Sequence, residues 1–145
     1  MPIAVKRVYE KVSRRDGARV LVDRLWPRGL SKAQAQVDEW LRKLAPSHEL
    51  RKWFHAQPGH WLTFRKKYLK ELSRLPEADT ELRKLYALAH KKNRLTLLFA
   101  SKNETHNNAV VLKELLDGMR KPPTGSGPSA VHAMRKRQAA IKPRR

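Results

Sequence analysis

Two polar loops carry the side chains that could do chemistry, and each loop directly follows a predicted strand. The first loop spans residues 23–29 and the second spans residues 101–108. Ligands of open α/β sheets bind outside the carboxyl ends of the strands, so parallel strands would bring both loops to one crevice. Cations and the free N–H groups of a helix start favour an anion there. The predicted anion-binding residues are Arg24, Arg28, Lys102 and Asn107.

Two side chains of the same loops are candidates for proton transfer. His106 has an imidazole that titrates near neutral pH, and Asp23 could orient that imidazole or hold a cation. The alternative is purely local structure, in which Asp23 pairs with a neighbouring arginine and Asn107 only caps a helix. The sequence leaves both interpretations open, so it does not decide whether the chain is an enzyme.

A group of histidines beside Glu49 has the residue types of a metal site. Its members His48 and His55 are seven residues apart, or about 10 Å along a helix at 1.5 Å per residue, too far for one ion. We interpret them, with His60, as solvent-facing and predict no metal site. The chain has no cysteine, which excludes a thiolate zinc site, and it has no glycine-rich motif that predicts a cofactor.

The charge of the chain predicts an anionic partner. Lys and Arg number 33 against 13 Asp and Glu, a formal net charge of +20. Eight of the basic residues lie in residues 119–145, and the remaining 25 still exceed the 13 acids by 12. A positive field attracts polyanions, so we predict binding of RNA or DNA without strong sequence specificity. The alternative is an enzyme or small-ligand binder that holds a phosphate or carboxylate at the two loops.

Residues 1–118 are predicted to form a single domain and residues 119–145 a tail. The tail contains Pro and Gly, is rich in Lys and Arg, and has few apolar groups to offset the entropy of ordering, so we predict disorder. Its basic residues are the predicted contacts to nucleic acid: Arg135, Lys136, Arg137, Lys142, Arg144 and Arg145.

The elements that position the two loops follow from the spacing of apolar residues. Short apolar runs at 3–9 and 19–22 predict strands, and the nearly continuous run at 95–100 predicts a strand covered on both faces. Ser31 is a suitable N-cap for a helix that would continue through Val37, Trp40, Leu41 and Leu44, which recur at helical spacing. Four further helices are predicted at about 47–54, 58–72, 77–89 and 107–117.

This order of elements predicts an α/β fold with a small, mostly parallel or mixed sheet of about three or more strands and about five flanking helices. The second and third strands are predicted to be parallel, because a long helical connection separates them. The first two strands are joined by less than the roughly dozen residues that a parallel crossover needs, so an antiparallel hairpin stays open.

Several segments resemble the bacterial YeaO-like proteins, which belong to the family called domain of unknown function 488. The resemblance lies in residues 5–9, 20–29, 49–54, 96–103 and 106–109, and it covers about residues 3–117. It implies a compact α/β fold and a bacterial cytosolic setting, and no established activity. Distant members have cysteines near the positions of Ala100 and Asn107. Many close members have Asn-His-Ala where this chain has Asn107-Asn108-Ala109, so neither thiol nor histidine chemistry is implied here.

The location of the chain and its outer surface can also be predicted. No apolar run approaches the roughly 20 residues of a membrane span, and residues 1–9 are too short and too charged for a signal peptide. We therefore predict a cytoplasmic protein that does not contact a membrane.

Basic residues alternate with aromatic ones at 51–54 and 61–70, which indicates helices with an aromatic inner face and a cationic outer face. The sequence does not predict an oligomeric state.

Overall fold

Four parallel strands form the centre of the fold in the computed structural model, which describes residues 2–119. The strands are β1 (Ile3–Arg7), β2 (Ala18–Leu21), β3 (Glu39–Trp40) and β4 (Leu95–Phe99). Their order across the sheet is β1-β4-β2-β3. The helices are α1 (Lys32–Ala35), α2 (His48–Ala56), α3 (Trp61–Arg74), α4 (Ala78–Lys92) and α5 (Asn108–Asp117). The predicted α/β fold with a small parallel sheet is therefore confirmed.

The central strand β4 is buried along its whole length. Leu97 and Phe99 lie in the main core with side chains of α3, α4 and α5, whereas Leu98 lies in a smaller cluster with Leu21 and Ala35. Alternate side chains of a strand point to opposite faces of the sheet, so the two clusters cover its two faces. The residues at 95–100 are nearly all apolar because both faces of β4 are buried, as the sequence predicted.

The strands β2 and β4 are adjacent and parallel, with Val20 opposite Leu97, so that prediction is confirmed. The hairpin that the sequence left open for the first two strands does not form, because β4 lies between them. The connection from β1 to β2 passes the start of β4, where Ala18 N–H donates to the Arg94 carbonyl at 3.0 Å. Gly17 makes this close approach with a φ of 65°, and a Cβ there would lie 2.3 Å from that carbonyl oxygen.

The prediction of one helix from Ser31 through Leu44 is wrong beyond the first turn. Ser31 does cap α1, but Gln36 has a left-handed φ of 45° and the helix ends before it. Residues 39–40 instead form β3, which pairs with β2. The reason is the free backbone edge of β2, whose carbonyls at Arg19 and Leu21 accept N–H groups from residues 38 and 41 at 2.8 and 2.9 Å.

An ionic cluster fills the amino end of the sheet, away from the two loops. The Arg19 side chain is only 4% exposed and its Nη1 lies 2.6 Å from Asp16 Oδ2. Lys6 Nζ lies 3.1 Å from the other oxygen of the same carboxylate. The Arg19 guanidinium also donates to the carbonyls of Ala35 and Gln36 at 2.8 and 3.1 Å, which fixes the end of α1 against β2.

Candidate anion-binding cavity

The two polar loops line one cavity of about 670 Å³ at the carboxyl ends of β2 and β4. They meet because these strands are adjacent and parallel, so both chains leave the sheet at the same edge. The cavity is lined by all the predicted candidates of the domain: Asp23, Arg24, Arg28, Lys102, His106 and Asn107. Helix α2 closes one side and adds a cation that the sequence analysis had assigned to an outer face, Arg51.

The first loop is held by hydrogen bonds to its backbone and by its tryptophan. Tyr9 Oη donates to the Arg28 carbonyl at 2.8 Å, and Trp40 Nε1 donates to the Asp23 carbonyl at 2.7 Å. The Trp26 ring lies edge-on against the Trp40 ring, with centroids 5.5 Å apart. These contacts fix the path of the loop without using the guanidinium of Arg28.

The second loop is shaped by its own asparagines. Asn103 Oδ1 accepts the N–H groups of Thr105 and His106 at 3.1 and 2.9 Å. Asn107 caps α5, since its Oδ1 accepts from Val110 N–H at 3.1 Å and its Nδ2 donates to the Asn103 carbonyl at 2.9 Å. Both polar atoms of the Asn107 side chain are therefore used locally, which is the alternative that the sequence left open for this residue.

The carboxylate of Asp23 joins the two loops. Its Oδ2 accepts from the Ala100 N–H at 2.8 Å and its Oδ1 accepts from Asn108 Nδ2 at 3.2 Å. Burial raises the pKa of Asp23, while these two hydrogen bonds and the nearby Arg51 oppose that rise. Sequence reasoning did not single out Asn108, although its place directly after an N-cap put it at the same edge of the sheet.

Four cations of the cavity have no carboxylate within 4 Å in the part of the chain that the structure describes: Arg24, Arg28, Arg51 and Lys102. Among the described residues, the Arg24 guanidinium reaches only the Pro46 carbonyl, at 3.4 Å. Glu104, which could have closed an internal ion network, instead interacts with the Glu10 carboxyl, and this interaction raises the pKa of Glu10. With Asp23 ionised, four positive side chains face one negative one, a net charge of +3.

The imidazole of His106 is packed against an aromatic ring. It stacks on Trp61 with centroids 4.6 Å apart and planes 9° apart, and Trp61 stacks in turn on Phe64. Within residues 2–119 no hydrogen bond joins His106 to Asp23. The carboxylate therefore does not orient the imidazole, which was one of the roles that the sequence left open for Asp23.

The remaining sequence candidates lie elsewhere or outside the described residues. His55 lines the cavity, His48 begins α2, and the His60 ring lies 6.1 Å from that of Trp53. Among the described residues, no group of three or more His, Cys, Asp or Glu could hold a metal ion. None of the helices there is long and apolar enough to cross a membrane. The predicted disorder of residues 119–145 and their six predicted contacts to nucleic acid fall almost wholly outside the described range: Arg135, Lys136, Arg137, Lys142, Arg144 and Arg145.

A family model described as "Inactive DUF488-N3 subclade" matches residues 2–130. The chain belongs to this DUF488 family. It is 47% identical to the uncharacterized protein YeaO of Escherichia coli (strain K12) over 116 residues, 80% of this chain and 97% of YeaO. It is 40% identical to the uncharacterized protein Rv3073c of Mycobacterium tuberculosis (strain ATCC 25618 / H37Rv) over 116 residues, 80% of this chain and 94% of that one. No solved structure matches this family member significantly.

Proposed function

We propose that this DUF488 family member is a binding protein that holds a phosphate- or carboxylate-bearing ligand in the cavity at the strand ends. One observation carries the proposal. Four cations from two loops and a helix line one concave site, with no carboxylate within 4 Å of them in residues 2–119. Cations that serve only solubility are spread over the surface, whereas these four, although exposed, line the same cavity of about 670 Å³.

The chemistry of the cations favours an oxyanion. A guanidinium presents planar pairs of N–H donors that match two oxygens of a phosphate or carboxylate, and Lys102 adds a point charge. Like charges that share a cavity repel each other, and an anion between them removes that repulsion. The cavity volume lies in the range of roughly 300–1,000 Å³ that is typical of small-ligand sites.

Binding without catalysis is favoured by the arrangement of the two candidates for proton transfer. His106 stacks on Trp61, and the oxygens of Asp23 are occupied by Ala100 and Asn108 rather than by the imidazole. A general base needs to be held within hydrogen-bond reach of its partner. The description of the family as inactive agrees with this part of the proposal.

The proposal is tested by titrating the full chain with pyrophosphate at low ionic strength in a calorimeter. We expect saturable binding at one site, and we expect Lys102→Ala to weaken it. The matched control is Lys84→Ala, which removes an exposed lysine of α4 that pairs with Glu81. Absence of saturable binding, or an equal loss of affinity in the two variants, would overturn the proposal.

Nucleic acid is a second candidate ligand, favoured by the charge of the chain. The net charge is +20, and α3 adds exposed lysines at 66, 67 and 70. The Lys67 Nζ lies 4.2 Å from the ring centroid of the half-buried Trp53. Charge neutralisation of this kind predicts that log K for duplex DNA falls with log[salt], with a slope of about −0.9 per phosphate contacted. A cytoplasmic location, which the sequence favours, would suit either ligand.

A further inference from the structure

We propose that Asp23 selects the ligand of this cavity, and that the ligand is a nucleotide whose base donates N–H groups to the Asp23 carboxylate. The phosphate of the nucleotide would lie on the cations. This inference rests on the proposed anion-binding function, and it adds the chemical class of the ligand and the residue that determines specificity.

Asp23 is the single carboxylate among the residues that line the cavity in the described part of the chain. A carboxylate has about four acceptor positions on its two oxygens. Two hydrogen bonds to this side chain are present, from the Ala100 N–H and from Asn108 Nδ2. Each oxygen therefore retains a further acceptor position, and a buried ionised carboxylate is stabilised by each additional donor.

The surrounding charge decides which kind of donor suits Asp23. An ammonium group would approach the carboxylate through a cavity that also holds Arg24, Arg28, Arg51 and Lys102, and like charges repel it. A neutral N–H group meets no such repulsion. The cavity therefore favours a ligand with a neutral donor at one end and an anionic group at the other.

The walls of the cavity favour a planar ring as the carrier of that donor. Trp26, Phe54 and His106 line it and are partly exposed, whereas Phe64, which also lines it, is buried behind Phe54 and Trp61. The His106 ring is supported on one side by Trp61, at 4.6 Å between centroids, which fixes its orientation. Aromatic side chains of this kind stack on nucleobases with little dependence on which base it is.

Guanine has the matching arrangement of donors, because its N1–H and its 2-amino group lie side by side on one edge. The two oxygens of a carboxylate can accept both of these groups at once. A free guanine nucleotide and an unpaired guanosine in RNA share this chemistry, and both carry phosphate.

The experiment compares three probes on the full chain: guanosine 5′-monophosphate, its N1-methyl derivative and ribose 5-phosphate. We expect guanosine monophosphate to bind about 10- to 100-fold more tightly than ribose 5-phosphate, the difference made by hydrogen bonds to a charged acceptor. The N1-methyl derivative should lose most of that advantage. These three measurements need no variant and do not depend on the folding of one.

Asp23→Asn gives the second test, with the melting temperature measured alongside. The readout is the ratio of the two affinities, because Asp23 also joins the two loops through Ala100 and Asn108, and the loss of that link would affect both probes together. The advantage of guanosine monophosphate should fall to about threefold or less. A purely structural role of Asp23 would instead weaken both probes by the same factor and lower the melting temperature.

The outcomes separate this inference from the function on which it rests. If neither guanosine monophosphate nor ribose 5-phosphate binds, the anion site itself is wrong. If both bind equally to the wild type, the anion site stands and the role of Asp23 is overturned. A short single-stranded RNA with an unpaired 5′-guanosine then identifies the source: tighter binding than the free nucleotide, abolished by the N1-methyl group, supports a ligand within RNA.

Discussion

Arg28→Ala separates a ligand-binding arginine from a structural one, because the loop that carries it does not depend on its guanidinium. The main chain at this position is held by Tyr9 Oη, which donates to the Arg28 carbonyl at 2.8 Å. The next residue, Gly29, turns the chain with a φ of 82° and has no atom within 4 Å of a Cβ built there. The Arg28 side chain is exposed, and no carboxylate of the described residues lies within 4 Å of it.

These contacts give the expected magnitudes. Truncation of an exposed side chain without partners changes the free energy of unfolding by less than about 0.5 kcal/mol. Loss of a charge-assisted hydrogen bond to pyrophosphate costs about 1.5 to 3 kcal/mol of binding free energy. We therefore expect the dissociation constant for pyrophosphate to be about 10- to 150-fold higher in Arg28→Ala than in the wild type. Arg28→Lys keeps the charge but not the planar pair of donors, so we expect it to recover less than half of the lost binding free energy.

The assay is calorimetric titration with pyrophosphate at low ionic strength, where screening is weak, together with thermal denaturation of each variant. The matched control is Arg15→Ala, which removes an exposed arginine near the amino end of β2, at the opposite end of the strand from the cavity. A lower melting temperature of Arg28→Ala with an unchanged dissociation constant would refute the reasoning. So would a loss of affinity in Arg15→Ala as large as that in Arg28→Ala, because binding would then reflect the overall field.

Three further predictions concern Asp16, Asn107 and residues 119–145. Asp16→Ala leaves the buried Arg19 guanidinium without its carboxylate partner, so urea denaturation should show a free energy of unfolding that is about 3–5 kcal/mol lower. A decrease below about 1 kcal/mol would contradict this. Burial raises the pKa of Asp16 but hydrogen bonds from Ser13, Lys6 and Arg19 lower it more, so its contribution is present above the ordinary pKa, near 4, and is lost as the pH falls through the lower folded value. Asn107→Ala removes the N-cap of α5, so it should lower the free energy of unfolding by about 1 kcal/mol and leave the affinity for pyrophosphate unchanged. Weaker pyrophosphate binding with unchanged stability would show that the Asn107 side chain belongs to the anion site. Deletion of residues 119–145 should flatten the salt dependence of DNA binding, and an unchanged slope would exclude these residues from the contact.

The sequence by itself determined the central part of the fold and the place of the candidate site. The apolar run at 95–100 can be satisfied only by burial on both faces, and residues 19–22 read as a strand separated from it by helices. Parallel pairing of those two strands brings residues 23–29 and 101–108 to the same edge whatever the rest of the chain does. Local chemistry also sufficed for the cap at Ser31, which accepts an N–H group of the first turn next to it in the chain. For Asn107 the sequence left the helix cap and the anion site open, and the structure shows the cap.

The tertiary structure alone decided how residues 36–41 fold and which charges face one another. The apolar residues after Ser31 recur at helical spacing, which predicts a helix. The open edge of β2 instead forms hydrogen bonds with residues 38–41, and the local sequence does not reveal that this edge is nearby. Arg51 joins the cavity because α2 packs beside two loops that are distant in sequence. Glu104 turns to Glu10 rather than to the arginines for the same reason. The spacing of apolar residues indicates which face of a segment is buried. Which residues pair across the sheet depends on how segments distant in sequence pack together.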